Sequence, residues 1–319
     1  MTEPRPLRVG LVGAGVIARL AQLPVLSADP TVTIAGVVTA SPEESRETLR
    51  RWPVERVYPD VHAMIADARL DALFVLTPKS AHRPFVEQGL AAGLDVFCEK
   101  PLASDLDDAR AMVEAADRAT GTLMVGLNRR FAEIYVRARA EFAERRPDFV
   151  VGQKHRPGTE YRATLENGIH MIDLLRWFCG EAVTVTGASQ GDDPYREDGA
   201  AALIRFDSGA VALFAAARTA GEWDERLDVY GGATTVRVTA PDHVEISRGG
   251  ERTQLHTRPR SSGWADITET AGFAPAVRHF LHCVRTREDP LTDAREAYRS
   301  QDLMERVLAA ADLPTRDAA

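Results

Sequence analysis

Three cysteines, Cys98, Cys179 and Cys283, are all that this chain of 319 residues contains. Odd in number and far apart, they fit neither a disulfide framework nor a zinc-ligand spacing. A reducing compartment and no metal site are expected. Long apolar runs are missing too, since none nears the roughly 20 residues that cross a bilayer. The opening stretch leads into a strand-like segment without an apolar signal region. A cytoplasmic protein with no membrane partner is the expectation. No basic stripe is present and the net charge is −8, which argues against nucleic acid as a partner. Lysine is scarce: Lys79, Lys100 and Lys154 stand alone among the arginines. Arginine replaces a surface lysine at little cost but cannot readily give up a proton. A lysine retained in such a chain is a candidate for lysine chemistry, or a chance survivor on a solvated surface.

What is present suits two globular domains. Single cores rarely grow past roughly 250–300 residues, and 45% hydrophobic with 27% charged residues is ordinary for a soluble fold. Strand-like runs at Leu7–Val12, Thr33–Val38, Ala72–Leu76, Asp95–Cys98 and Leu123–Gly126 alternate with helical segments, among them Val16–Ser27, Pro42–Arg51, Ala81–Ala92 and Asp105–Ala119. Pro24 weakens the first of these helices. Such alternation predicts an α/β fold, a doubly wound parallel sheet covered by helices on both faces. After Leu127 the pattern changes. A helix near Phe131–Ala143, a strand at Phe149–His155 and a helix at Gly168–Phe178 precede a run of strands from Val183 to His256. Helices over Ala271–Arg285 and Asp293–Ala310 close the chain. Residues 128–319 are therefore expected to form an α+β domain on a largely antiparallel open sheet, following a domain over 1–127.

The first strand runs into Gly13-Ala14-Gly15-Val16-Ile17-Ala18, a G-x-G-x-x-A turn. Its first glycine permits the tight turn, its second lets backbone approach a pyrophosphate, and the small third residue lets helix and strand pack. Amides at the helix start then face the phosphate charge. Placed at the first strand of a βαβ series, the turn predicts a Rossmann dinucleotide-binding domain. An acidic residue at the end of the second strand would favour NAD. This chain has Thr39 there, with Ser41 beside it and Arg46 on the next helix. A hydroxyl and a guanidinium suit a 2′-phosphate, which favours NADP over NAD; alternatively Ser41 caps the helix and Arg46 faces water.

Thr77-Pro78-Lys79-Ser80-Ala81-His82, then Glu99-Lys100-Pro101, Asn128-Arg129-Arg130-Phe131 and Asn167-Gly168-Ile169-His170-Met171-Ile172-Asp173 follow in order. Together they resemble the glucose–fructose oxidoreductase / inositol dehydrogenase / MocA (Gfo/Idh/MocA) family over essentially the whole chain. The resemblance implies that Gly13, Gly15, Val16 and Ile17 line the dinucleotide. Thr77, Pro78 and His82 would lie along its nicotinamide half, with Glu99 and Lys100 at the ribose and reacting carbon and Asn128 nearby. It also implies a homodimer or homotetramer formed through the open sheet. Many members pair the E-K-P lysine with D-x-x-x-H on a later helix. Here the histidine is His170, and the residue four before it is Glu166, a departure from aspartate.

Hydride transfer to or from a carbinol carbon requires a proton to move on the oxygen. His170 suits acid/base work through its near-neutral pKa, unless it is simply a satisfied interior histidine. Lys100 suits polarising the oxygen, and Glu166 tuning His170, with Asp173 a competing partner. Lys154 and Arg156 alternate onto one strand face. That face is either a substrate wall suited to a hydroxyl-rich or anionic ligand, or a solvated edge. Asn167 is a further substrate candidate, with Tyr161, Trp223 and Trp264. The reading is an NAD(P)-dependent oxidoreductase acting on a secondary alcohol or ketone of a sugar, cyclitol or related polyol. Two alternatives stand beside it: a redox-cycling glycoside-cleaving enzyme with tightly bound NAD, and a non-catalytic dinucleotide-binding sensor.

Overall fold

The computed structural model describes residues 5–158, 162, 166–257 and 266–316. Tyr161 and Trp264 lie outside them. The chain divides into two compact units, one of residues 1–127 and 273–298, the other of 128–272 and 299–319. The sequence reading carried the second domain unbroken to the C-terminus. Helix α9 (Phe273–Thr286) explains the difference, because its apolar face buries Val277, Phe280 and Val284. Phe280 meets the rings of Phe74 and Phe97 edge-on in the first unit, at 5.3 and 5.6 Å.

The first unit is a parallel sheet of five strands in the order β2-β1-β3-β4-β5. They are β1 (Leu7–Val12), β2 (Val32–Val38), β3 (Ala72–Val75), β4 (Asp95–Cys98) and β5 (Leu123–Val125). β3 and β4 are buried at every position, as strands covered on both faces must be. The β1-to-β2 crossover and the β2-to-β3 crossover, which passes β1, are both right-handed and so lie on opposite faces, opening a crevice at the strand C-termini. The helix after β1 runs through Pro24, with a π-helical turn at Ala18–Gln22 ahead of α1 (Leu23–Ala28). Proline lacks the N–H that the Leu20 carbonyl, four residues back, would use; just before it, Leu23 N–H bonds Ala18 O, five residues back. Helix α2 (Pro42–Arg51) starts on Ser41, and α4 (His82–Ala91) and α5 (Leu106–Arg118) follow β3 and β4. Helix α3 (Val61–Ala68) was not expected from the sequence. Asp60 caps it by accepting from Ala63 N–H at 2.8 Å, and it buries Val61, Met64 and Ala68.

The second unit is an eight-stranded sheet in the order β13-β12-β11-β10-β6-β9-β8-β7. Its strands are β6 (Phe149–His155), β7 (Ala182–Gln190), β8 (Gly199–Phe206), β9 (Val211–Ala217), β10 (Asp224–Gly231), β11 (Thr234–Thr239), β12 (His243–Arg248) and β13 (Glu251–His256). Every pair is antiparallel except β6–β9. Helices α6 (Glu133–Ala140) and α7 (Ile169–Cys179) cover one face, and α8 (Ile267–Thr270) and α10 (Ala294–Ala310) complete the helices. Alternate residues of β8 are buried and exposed, the mark of a sheet packed on one side. No helix among the described residues is long and apolar enough to cross a membrane.

Helix α7 carries His170 and is fastened from within. Arg130, 2% exposed, donates to both oxygens of Asp173 at 2.7–3.2 Å, and Ser300 Oγ donates to the same carboxylate at 2.6 Å. An ion pair this deep is costly to break, because removing one partner strands the other charge. Asp173→Ala is therefore expected to lower stability by about 3–5 kcal/mol, read from denaturant unfolding. A loss below about 1 kcal/mol would mean that water already reaches Arg130.

Candidate active site

In the first unit the candidate residues gather at the C-terminal ends of β1, β3 and β4. Gly13 N–H bonds Val38 O at 2.8 Å, and Leu76 N–H bonds Val12 O at 2.8 Å. These bonds hold the ends of β2, β1 and β3 together. Gly13 has φ +91°, and a Cβ there would lie 2.9 Å from Leu76 O. Only glycine tolerates that position. Around Gly15 the space is open, with no atom within 4 Å of an added Cβ. Val16 and Ile17 just beyond it are 69% and 47% exposed, an apolar start to a helix beside open space. The buried hydroxyl of Thr77 finds no hydrogen-bond partner among the described residues. An open glycine turn, exposed apolar side chains and a waiting hydroxyl fit a dinucleotide laid across the strand ends.

His82 fixes the loop after β3 to the loop after β4. Its Nε2 lies 2.9 Å from Thr77 O and its Nδ1 3.0 Å from Pro101 O. Burial lowers its pKa and outweighs those carbonyls, so the ring is neutral and donates to one of them. Glu99 extends β4, its N–H bonding Val75 O at 3.0 Å. Its carboxylate accepts from Gln22 Nε2 and, at 3.2 Å, from Lys100 N–H. Burial pushes the Glu99 pKa up to about 7, against the opposing Lys100 charge. Lys100 itself is half-buried, joined to Pro101 by a cis peptide.

At the other end of the crevice, Ser41 Oγ accepts from Glu44 N–H at 3.2 Å and so caps α2. Thr39 Oγ1 lies 2.6 Å from Ser45 Oγ, and Arg46 pairs with Glu43 at 2.6 Å on the surface. Ser41 is thus a helix cap and Arg46 a surface charge, the alternative given for these two residues above, while Thr39 has a local partner in Ser45.

In the second unit, Lys154 is buried and ion-paired with Glu225, its direct neighbour across the β6–β10 ladder. Glu225 also accepts from Arg129 at 2.8 and 3.1 Å and from the Tyr135 hydroxyl at 2.6 Å. Burial alone would push its carboxyl up; Arg129 and Lys154 overcome it and hold the pKa well below the usual range. Lys154 therefore does not stand on an open face with Arg156, which is exposed just past the strand. Its ammonium lies 5.8 Å from the Trp223 ring, which is 41% exposed. Asn167 Nδ2 donates to Lys154 O at 3.4 Å, tying β6 to the segment leading into α7. His170 is 8% exposed one turn later. Glu166 is half-buried in helical backbone, its N–H bonding Arg162 O at 2.9 Å. Asp173, committed to Arg130 and Ser300, is not the partner of His170. Asn128 donates to Ala271 O at 2.7 Å and keeps a buried Oδ1 without a partner among the described residues.

Glu225, Tyr135 and Gln22 were not foreseen. Glu225 occupies an inward position of an alternating strand, a signal that it needs cations, but their identity depends on strand register.

Residues 7–127 match the NAD-binding Rossmann fold of the Gfo/Idh/MocA oxidoreductase family, and residues 154–313 match that family's C-terminal α/β domain. The chain belongs to this family. It is 30% identical to the oxidoreductase YceM of Salmonella typhimurium over 94% of this chain and 97% of that protein. It is 30% identical to a D-apiose dehydrogenase of Paraburkholderia graminis over 85% and 79%. An oxidoreductase from Agrobacterium radiobacter, crystallised with NAD+, L-tartaric acid and magnesium, shares its fold with a TM-score of 0.86. Identity to it is 23% over 96% of each chain.

Glu225→Gln would leave two buried cations facing a neutral amide. The expected loss is about 3–5 kcal/mol at neutral pH. Because the folded pKa is depressed, this contribution is full above the unfolded carboxylate pKa and is lost progressively as pH falls from there through the lower folded pKa. Unfolding curves of wild type and variant should therefore converge on acidification; a constant gap would contradict this assignment.

Proposed function

We propose that this oxidoreductase transfers a hydride between a bound nicotinamide dinucleotide and a secondary alcohol, or its ketone, of a sugar-like polyol. The observation that carries the reading is the placing of Lys100 on the same strand-end edge as the open glycine turn and the Thr77 hydroxyl. The dinucleotide, when bound, supplies the hydride acceptor or donor at its nicotinamide ring. The chain supplies the rest. Gly13, Gly15, Val16 and Ile17 seat the dinucleotide, Thr77, Pro78 and His82 shape its nicotinamide end, and Asn128 offers an amide oxygen. Lys100 donates to the reacting oxygen and stabilises charge that develops there. His170 exchanges the proton of that oxygen, and Glu166, in place of the family aspartate, tunes it.

With Lys154 and Arg129 balanced by Glu225, polar contacts to substrate fall to Asn167 and Arg156. The exposed Trp223 ring offers an apolar face to the carbon skeleton. This arrangement suits a polyol. The Paraburkholderia relative, a sugar dehydrogenase, is consistent with that class. At the adenosine end, Thr39 stands where NAD-preferring sites carry a carboxylate, and the Arg46–Glu43 pair is a surface contact of little strength. NADPH is accordingly the preferred cofactor.

Among the described residues, one face of the eight-stranded sheet presents exposed apolar side chains. Leu203 and Leu213, 45% and 41% exposed, line a shallow depression of about 470 Å³ with Ala201 and Ala215. Such a patch marks an interface, and a second copy of the chain is its proposed occupant.

Three measurements test this reading. A panel of sugars, cyclitols and keto-sugars should yield net turnover of reduced nicotinamide, with a lower KM for NADPH than for NADH; bond cleavage without net cofactor turnover would replace hydride transfer as the overall reaction. Lys100→Ala and His170→Ala should each lower kcat by about 10²-fold or more, and an unchanged kcat removes that residue from its role. Leu213→Asp should shift the protein to monomer in sedimentation; an unchanged mass shows that another surface, or none, mediates assembly.

A further inference from the structure

The first unit contains a buried pair that the proposed mechanism does not use. Gln22, fully buried in the π-helical turn, donates through Nε2 to Glu99 Oε1. The other carboxylate oxygen takes Lys100 N–H. Gly126, beyond β5, closes against the same carboxylate: an added Cβ there would lie 3.4 Å from each oxygen. The carboxyl is thus held from three sides and joined in sequence to the lysine. Gln22 Oε1 has no partner among the described residues. Its amide therefore offers one made hydrogen bond, to Glu99, and that bond favours the ionised carboxylate.

Lys100 is the charged group that acts on Glu99, and its ammonium favours the ionised carboxylate. Cys98, next to it on β4, is a thiol that burial and the Glu99 charge push well up, so it stays neutral. His82, on the Pro101 carbonyl, is kept neutral by burial. The π-helical turn contributes the uncharged Gln22, and Arg19 of that turn points instead to Ala14 O and Glu47. From the loop after β5, Gly126 closes against the carboxylate.

We propose that Gln22 is a positioning residue: its buried amide biases the Glu99 carboxyl towards its ionised form, and the charge so favoured beside Lys100 sets the protonation state from which that lysine works. The second half of this statement rests on the hydride-transfer reading; the first does not. A Glu99 pKa near 7 is where one hydrogen bond shifts the balance most. Without the amide, burial is opposed by Lys100 alone, and the acid form extends to higher pH.

Difference infrared spectroscopy of the full chain follows the C=O stretch of the protonated carboxyl, and Glu99→Gln identifies which band belongs to Glu99. In wild type that band should fade through neutral pH. In Gln22→Met, of similar volume and without a donor, its midpoint should move up by about one pH unit or more, the size of one hydrogen bond to a charged group. Gln22→His, which keeps an N–H, should stay near wild type. An unmoved midpoint in folded Gln22→Met overturns the proposal. Should that variant fail to fold, the Gln22 side-chain amide resonances of the unaltered protein decide. They must titrate with the Glu99 midpoint and lose that titration in Glu99→Gln; resonances independent of pH overturn the proposal. With an active substrate in hand, the acidic limb of kcat/KM should move up with the infrared midpoint in Gln22→Met. A shifted infrared midpoint with an unmoved limb would overturn the link to Lys100, and absence of turnover in wild type would count against hydride transfer alone.

Discussion

The constraint on which the first unit depends is the parting of the chain on either side of β1. Because β2 and β3 flank β1, the two crossovers leave opposite faces, and nothing of the sheet itself closes the gap at their C-terminal ends. Gly13 sits at that gap, its N–H on β2 and its α-carbon against Leu76 after β3. A side chain there would wedge the two strand ends apart. The loops after β3 and β4 are then drawn to the same edge, with His82 spanning them. Thr77, Glu99 and Lys100 become neighbours as a consequence of strand order, although they are spread over 24 residues of sequence and a whole helix.

The second unit is organised by buried charge. Arg130–Asp173–Ser300 fastens α7 through its Asp173 side chain, and Arg129–Glu225–Lys154 holds β10 to β6. Each carboxylate offsets its own desolvation only because cations reach it with good geometry. Both networks bear on where His170 and Asn167 sit, since Asp173 is one turn beyond His170 and Asn167 bonds the Lys154 carbonyl. Networks of this kind do little for net stability compared with apolar packing, yet they define one arrangement sharply.

Burial acts differently on the two carboxylates that matter most. Glu225 meets two cations and a phenol and remains a firm anion. Glu99 meets one ammonium, one amide and one backbone N–H, and burial outweighs them, lifting its pKa to about 7. The first is a structural anchor whose charge is constant over the working range of pH. The second is poised.

Much of the first unit was legible in the sequence because its signals are local. A glycine turn after an apolar run, an E-K-P after a strand, and the βα spacing between them fix which residues end each strand, and strand ends are where parallel sheets bind ligands. The open, mostly antiparallel sheet of the second unit was legible from the clustering of turn signals. Helix α3 was missed because eight residues with His62 and Asp67 among them show little periodicity. The return of α9 to the first unit was missed because an amphipathic face does not name the surface that it covers. Lys154 shows the limit most clearly. Alternation along β6 correctly put its side chain on one face of a strand. Only the pairing of β6 with β10 decided that Glu225 would stand opposite, turning a candidate ligand cation into half of a buried ion pair. Register depends on contacts between residues 71 positions apart in the chain, and no local pattern contains them.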